Sequence, residues 1–554
     1  MPEAKVQVKP SDHYNDWPNT QGFIADVEQR QPVELRMAGS IPTYASGNLY
    51  RTGPGRNSVP TKSGQIFQLS HWIDGFSQTH RFQIVADQNC AGSRVFYSSR
   101  FADQGRYDYI KENGQHPPYP TFGGSPDPCE AIFKDAQSEW DPADPTVHNI
   151  NVTLSYNMPG SAKLFPQIMG RNPDSQKKDL LIAKTDAPVY KALDFDTMEP
   201  LAVATQDMLH PDLTGELAAS HARSDPQTGD VFNYQCTSDS ESSIYRVFTI
   251  SASTQETTIL AKFEDRPAYL HSLFLTKDYV VLCVWNSYLK IKSTSPTAPI
   301  IDKIQPFDPT VPSHWYVVDR TGTQGLVAKY DGPAFFCFHT INAWQELSPT
   351  DGRDTDIVTD LIMYDNLDSM YWPFYKNILS DSKEARVFVD TKPDSMRGSL
   401  TRFRLPSVGK VSPGESLQVT MEWKTGKNLS PELPTYNGTW GTRQTRYTYT
   451  LTNQSKSTMF DGIAKFDNGS LASLWEAHGQ TPSEAIFVPN PKGTAEDDGV
   501  LLSVVLDGYV GKSYLLCLDA KTMLELGRAC AELPVAFSFH GQHISTKGAT
   551  TGDF

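Results

Sequence analysis

HWYVVDRTGTQGLVAKY, residues 314–330, decides the fold. A run of Trp, Tyr and Val ends on Asp319, a Thr- and Gly-rich turn follows, and a second apolar run begins at Leu326. Short runs of β-branched and aromatic residues bounded by Gly and Asp read as strands. An aspartate at the head of the turn accepts backbone N–H groups and fixes a hairpin. The same pattern returns at FDTMEP (195–200), SDPQTGDVF (224–232) and CLDAKTM (517–523). Other strand-like runs are YVVLCVW (279–285), ARVFVDTKPD (385–394), TRYTYTLTNQ (445–454) and SYLLCLDAKTMLELGRA (513–529).

One segment reads as helical, TDIVTDLIMYDNLDSMYW (355–372), although its Asp and β-branched residues are weak helix formers. The expectation is an all-β chain. So many strands must be kept from exposing their edges, and radial repetition into a β-propeller is one solution. No tight repeat sets the number of blades. With 39 prolines and 37 glycines, loops are many, and residues 103–150 are expected to run as an excursion above the scaffold. Residues 1–554 are read as a single domain of this kind.

The formal net charge of −15 argues against nucleic acid as a partner, since phosphate contacts need clustered Lys and Arg. The seven cysteines form no C-x-x-C pair, and several sit in apolar runs such as VLCVW and FFCFH. They read as reduced, buried thiols in a reducing compartment. The N-terminus has no apolar export stretch, and no apolar run approaches the roughly 18 residues that span a bilayer. The expected location is cytoplasmic, with at most peripheral contact to membranes.

Of the thirteen histidines, most lie beside Pro, Asp or Gly in turns and read as solvated. Four stand apart: His221 in AASHARSDPQTGD, His271 in RPAYLHSLFLTKDYVVL, His339 in PAFFCFHTINAWQE and His540 in FSFHG. The last three open or close an apolar strand. Taken singly, each reads more readily as a hydrogen-bonded structural histidine than as a ligand, and none has local zinc spacing. Taken together on a radial fold, four strand-end imidazoles can point at one axis, and imidazole suits Fe, Cu, Zn and Ni. Four neutral nitrogens of an open octahedral set leave two positions for oxygen and substrate. Such ligands need their other N–H fixed by an acceptor. Glu432 in PELPTYNG and Glu484 in PSEAIFVPNP precede apolar segments where an unpaired carboxylate is costly, and they are the candidates.

At these residues the sequence resembles the carotenoid cleavage oxygenases, a family of carotenoid- and stilbene-cleaving dioxygenases that includes a retinoid isomerohydrolase. GSIPTYASGNLYRTGPGRN (39–57) and HWIDGFSQTHRF (71–82) resemble its N-terminal motifs. SHARSDPQTGD, LHSLFLTKDYVV, FHTINAWQE and FSFHG resemble its four ligand segments, and PELPTYN and SEAIFVPNPKGTAEDDGVLLSVV its two glutamate segments. The resemblance covers most of the chain, in order. It implies a seven-bladed β-propeller under a dome of loops and short helices. It implies iron(II), Fe(2+), held by His221, His271, His339 and His540, with Glu432 and Glu484 behind them. It implies insertion of both atoms of O2 across a conjugated C=C bond of a lipophilic polyene, giving two carbonyl products. A polyene has no polar handle, so its site must be an apolar slot. Phe335, Phe336, Trp344, Phe537 and Phe539 flank ligands and read either as tunnel wall or as core.

Departures refine this. Family members carry a third glutamate where this chain has Asp186, in IAKTDAPVY, one methylene shorter. Stilbene-cleaving members place a lysine just before that position. Here Thr185 stands there, and Lys184, one step back, falls on the other strand face. That favours a carotenoid or apocarotenoid, torulene- or β-carotene-like, over a stilbene. The KTDA variant is similar to the fungal torulene-cleaving branch. SPDPCEAIF (125–133) resembles a membrane-facing segment of animal members, but the acidic KDAQSEWDPADP after it argues against membrane contact there. The alternatives are stilbene cleavage within the same family and a non-catalytic propeller that binds a ligand or partner.

Overall fold

The hairpin at 314–330 forms as read. Strands Ser313–Asp319 and Leu326–Gly332 pair antiparallel with Tyr316 opposite Lys329, and Asp319 accepts the N–H groups of Thr321, Thr323 and Gln324. The computed structural model describes residues 13–87, 92–118, 121–124, 141–169, 178–238, 242–290, 298–349, 352–391, 394–412, 414–548 and 550–551. Asp225 and Asp519 hold their turns in the same way, through Gln227 and Thr228 and through Lys521 and Thr522. In FDTMEP the acceptor is Asp194, one residue ahead of the quoted stretch, which takes the N–H groups of Asp196 and Thr197.

These hairpins build seven sheets of four to six strands, the blades of a β-propeller, beside one small two-stranded ribbon. Six blades follow one another along the chain. The seventh joins its two ends: Gly47–Pro54 pairs with Ser77–Ala86 on one side and with His540–Ser545 on the other, Thr52 opposite His540. Residues Arg36–Gly39 also add an outer strand to the preceding blade, against Glu525–Cys530. The ring is therefore closed by hydrogen bonds between the start and the end of the sequence, within one blade. Buried aromatic and aliphatic side chains fill the spaces between blades.

Two secondary-structure expectations are corrected. Residues 355–372 are not helical: Thr355–Met363 is a central strand, followed by a short 3-10 turn at Asp368–Tyr371. Buried on both faces, that strand has no period-2 alternation to reveal it. Conversely, ARVFVDTKPD does not form a strand; Lys383–Thr391 is a helix, with Ala385 and Phe388 turned inward and Val387 64% exposed. The excursion at 103–150 contains a second helix, Gln104–Asn113, ended by Gly114 at φ 65. The SPDPCEAIF segment lies outside the described residues, as do Cys90 and Cys129. The other five cysteines are free thiols, four of them buried and Cys530 half-buried. Among the described residues no helix is long and apolar enough to cross a membrane.

Candidate metal centre

Each candidate histidine sits at the axis-facing end of a different blade. His221 lies between the short strands Leu217–Ala218 and Arg223–Ser224. His271 precedes Phe274–Leu275, His339 precedes Thr340–Leu347, and His540 opens the last long strand. Neighbouring inner strands touch here: the His221 N–H donates to the His271 carbonyl at 3.2 Å. All four rings are buried, and one nitrogen from each falls within 4.8 Å of the others.

Three of the rings turn Nδ1 toward a carboxylate. His339 Nδ1 donates to Glu432 Oε2 at 2.5 Å, His540 Nδ1 to Glu484 Oε1 at 2.8 Å, and His271 Nδ1 to both oxygens of Asp186 at 2.9 Å. Glu432 opens the inner strand of its blade, and Glu484 lies in the break between Gln480–Pro482 and Ile486–Pro489. The shorter Asp186 reaches its ring directly, from the loop after Leu180–Lys184.

Each carboxylate is held in turn. Tyr364 donates to Glu432 Oε1 at 2.8 Å. Tyr269 donates to Asp186 Oδ2 at 2.6 Å, and the Ser220 hydroxyl to Oδ1 at 2.5 Å. Arg51 donates to Glu484 Oε2 at 2.6 Å. Leu433, at a left-handed φ of 47, turns its N–H onto Glu432 Oε2 at 2.6 Å. A non-glycine residue in that region costs about 1–2 kcal/mol, spent here on aiming a carboxylate.

The electrostatics follow from burial and from these pairs. Burial is the largest influence on Glu432 and on Asp186 and works to raise both carboxyls. Their histidine partners and hydrogen bonds outweigh it and leave each below its usual range. At Glu484 burial prevails over Arg51 and lifts the carboxyl to about 7. His221 and His540 are pushed well below the ordinary imidazole value, by burial first and then by the neighbouring rings. His221 and His540 are therefore neutral, and His540 keeps its proton on Nδ1, where Glu484 accepts it.

Their other nitrogens face one another. His540 Nε2 lies 3.1 Å from His221 Nε2 and 3.3 Å from His339 Nε2. His339 and His540 both turn Nδ1 to a carboxylate, which leaves Nε2 as the nitrogen each offers to a cation between them. This donor set fits a metal ion: imidazole nitrogens inside, carboxylates one bond further out to offset its charge.

On one side of the imidazoles an apolar cavity opens. Trp72, Ile73, Phe338, Trp372, Leu433, Met459, Phe460 and Phe539 wall it, and His271, His339 and His540 form its floor. Of the five aromatics named from sequence, Phe539 lines this cavity. Phe335, Phe336 and Trp344 are buried in the core, and Phe537 packs edge-on against Phe23.

Sequence reasoning missed Tyr364, Tyr269, Ser220 and Arg51. Tyr269 was findable: it stands two residues before His271 on an extended segment and so shares its face. Tyr364 lay hidden in the stretch misread as helix.

The fold and this centre together define a propeller of the metalloenzyme type. The family model of the retinal pigment epithelial membrane protein, RPE65, matches residues 23–545, and the chain belongs to that family. It is 36% identical to a carotenoid dioxygenase of Neurospora crassa, across 98% of this chain and 93% of that protein. It is 37% identical to a torulene dioxygenase of Fusarium fujikuroi, across 96% of this chain and 95% of that one. Cobalt-substituted Synechocystis apocarotenoid oxygenase has the same fold, with a TM-score of 0.69 at 20% identity, covering 98% of this chain and 100% of that structure.

Proposed function

We propose that this protein is an iron(II)-dependent dioxygenase that cleaves a conjugated C=C bond of a carotenoid or apocarotenoid, torulene- or β-carotene-like, into two aldehydes. The observation that carries the reading is a cluster of four buried imidazoles, three of which floor an apolar cavity. His221, His271, His339 and His540 would hold the ion, and Asp186, Glu432 and Glu484 would fix three of the rings. Iron(II), when bound, would supply the one-electron chemistry that lets O2 react with a closed-shell polyene. The double bond breaks, each of its two carbons takes one oxygen atom, and both atoms of O2 end in the products.

The chain's own contribution is placement and exclusion of water. Trp72, Phe338, Phe460 and Phe539 present ring surface and no charge, which suits a hydrocarbon chain. The lysine that could steer a phenol is engaged elsewhere: Lys184 Nζ donates to the Ser155 hydroxyl at 2.7 Å, and Lys184 does not line the cavity. This favours a polyene over a stilbene. Residues 1–554 are proposed to act as one unit, which meets its membrane-dissolved substrate by peripheral contact.

The test is product analysis in cells that accumulate β-carotene or torulene. Aldehydes formed by the wild type and not by His540→Ala support the reading, and their masses locate the broken bond. Intact carotenoid beside folded, iron-loaded protein would overturn it.

A further inference from the structure

Arg51 has no place in the chemistry proposed above, yet its side chain is 1% exposed and carries a charge. A buried guanidinium is costly unless its bonds repay the desolvation. Its bonds run to one place. One terminal nitrogen donates to Glu484 Oε2 at 2.6 Å; the other makes longer contacts to the carbonyls of Ser538 and Phe539, at 3.4 and 3.3 Å. Those are the two residues that lead into His540. Glu484 completes the circle, with Oε1 on His540 Nδ1 and Oε2 also taking the Gly541 N–H at 3.0 Å. Arg51 Nε, buried as well, has no partner. The side chain is thus placed for the His540 arm and not for its own best hydrogen bonding.

A second observation concerns Gly541. It lies directly opposite Arg51 in the sheet. A Cβ built there would come 2.6 Å from Arg51 Cδ and 3.0 Å from its terminal nitrogen. The glycine is what lets Arg51 cross its partner strand to reach Glu484 in the next blade. Three separate stretches, GNLYR, SEAIF and FHG, meet at this one junction, where the two ends of the sequence close the ring.

We propose that Arg51 is a positioning residue for His540: it clamps Glu484 and the turn before His540, and so sets that imidazole for the metal at the point where the propeller closes. The inference rests on the four-histidine reading above. Arg51 acts at a distance, so its loss reaches the metal only through Glu484 and the 538–540 backbone.

The test is Co(II) affinity, measured by chelator competition on the full chain, with the visible ligand-field bands of the bound ion as a second readout. Arg51→Met is expected to weaken Co(II) about 10–100-fold, the usual effect of removing an outer partner of a ligand, and to shift those bands. Glu484→Gln is expected to do the same. The double variant Arg51→Met/Glu484→Gln, which leaves no unpaired buried carboxylate, should bind no more weakly than Glu484→Gln alone, because the two act in series. Arg51→Lys, which keeps the charge and loses the fork, should fall between wild type and Arg51→Met. Losses that multiply in the double variant, or unchanged affinity and bands in Arg51→Met, would overturn the proposal. If Arg51→Met alone does not fold, wild-type affinity in Arg51→Lys overturns it equally. A wild-type protein that takes up no Co(II) would remove the metal reading itself, a different result from variants that bind as wild type does.

Discussion

His339 and His540 meet Nε2 to Nε2 at 3.3 Å, and each turns its Nδ1 away to a carboxylate, Glu432 and Glu484 respectively. Imidazole nitrogens from four blades that converge within 4.8 Å in a buried site offer a cation a ready set of donors. Metal should therefore stabilise the folded ring, since its ligands come from four blades that unfolding would scatter. At a free metal concentration one hundred times Kd the gain is about 2.7 kcal/mol. Thermal melts with iron(II) and with chelator should differ in that direction; coincident melts would contradict a metal held by these four rings.

Asp186 touches both His271 and Tyr269, at 2.9 and 2.6 Å. Asp186→Asn keeps the shape and removes the charge. It also puts an amide where Tyr269, Ser220 and His271 all donate, so one donor faces another. Metal affinity is expected to drop about 10–100-fold, and the metal-free melt to fall only by the roughly 1–3 kcal/mol of one mispaired buried donor. Titration with Co(II) beside a thermal scan separates the two. Equal affinity in wild type and variant would mean that Asp186 plays no part in holding the ring.

Much of this was legible in sequence for physical reasons. The turns at Asp225, Asp319 and Asp519 are local: a carboxylate meets N–H groups two to five residues on. The four candidate histidines were legible as a set, because three of them stand at apolar strand ends and their motifs come in order. What failed was long-range or ambiguous. Thr355–Met363 loses its alternation because both faces are buried. The Val-Phe-Val run at 387–389 looks like a strand, and the inward pair that marks the helix, Ala385 and Phe388, is only one helical step, too short to stand out. Arg51 and Glu484 are 433 residues apart, and nothing near either one announces the other.

Arg402 and Asp360 stand opposite each other on adjacent strands and form a two-pronged ion pair at 2.7 and 2.8 Å. Trp344 and Trp423 flank the guanidinium at 4.7 and 4.9 Å from their ring centres. Arg402→Met leaves a carboxylate buried and uncompensated, a loss of about 3–5 kcal/mol. Arg402→Met/Asp360→Leu should recover most of it. Melting curves of the two variants check this, and Co(II) affinity of whatever remains folded should match wild type, because the pair lies away from the four rings.

Phe338 and Phe539 bear on where the substrate is cut. Phe338 sets its ring edge-on to His271 at 5.8 Å between centroids, and Phe539 packs against Trp72 at 4.6 Å. Both line the cavity above the imidazoles, so both limit how far a polyene can slide before a double bond lies over the metal. Removing either ring should let neighbouring bonds compete. Phe338→Ala and Phe539→Ala are expected to give more than one pair of aldehydes where the wild type gives one. kcat/KM should fall about 10–100-fold, since small misplacements of a reacting bond carry such penalties. Phe335→Leu is the contrast, because Phe335 lies in the core between Trp285, Trp315 and Phe403 and does not reach the cavity. That variant should lower the melting temperature and leave the product masses unchanged. Mass spectrometry of products from the three variants decides it: a changed spectrum for Phe335→Leu, or a single unchanged pair for both cavity variants, would show that these rings do not set the register of the substrate.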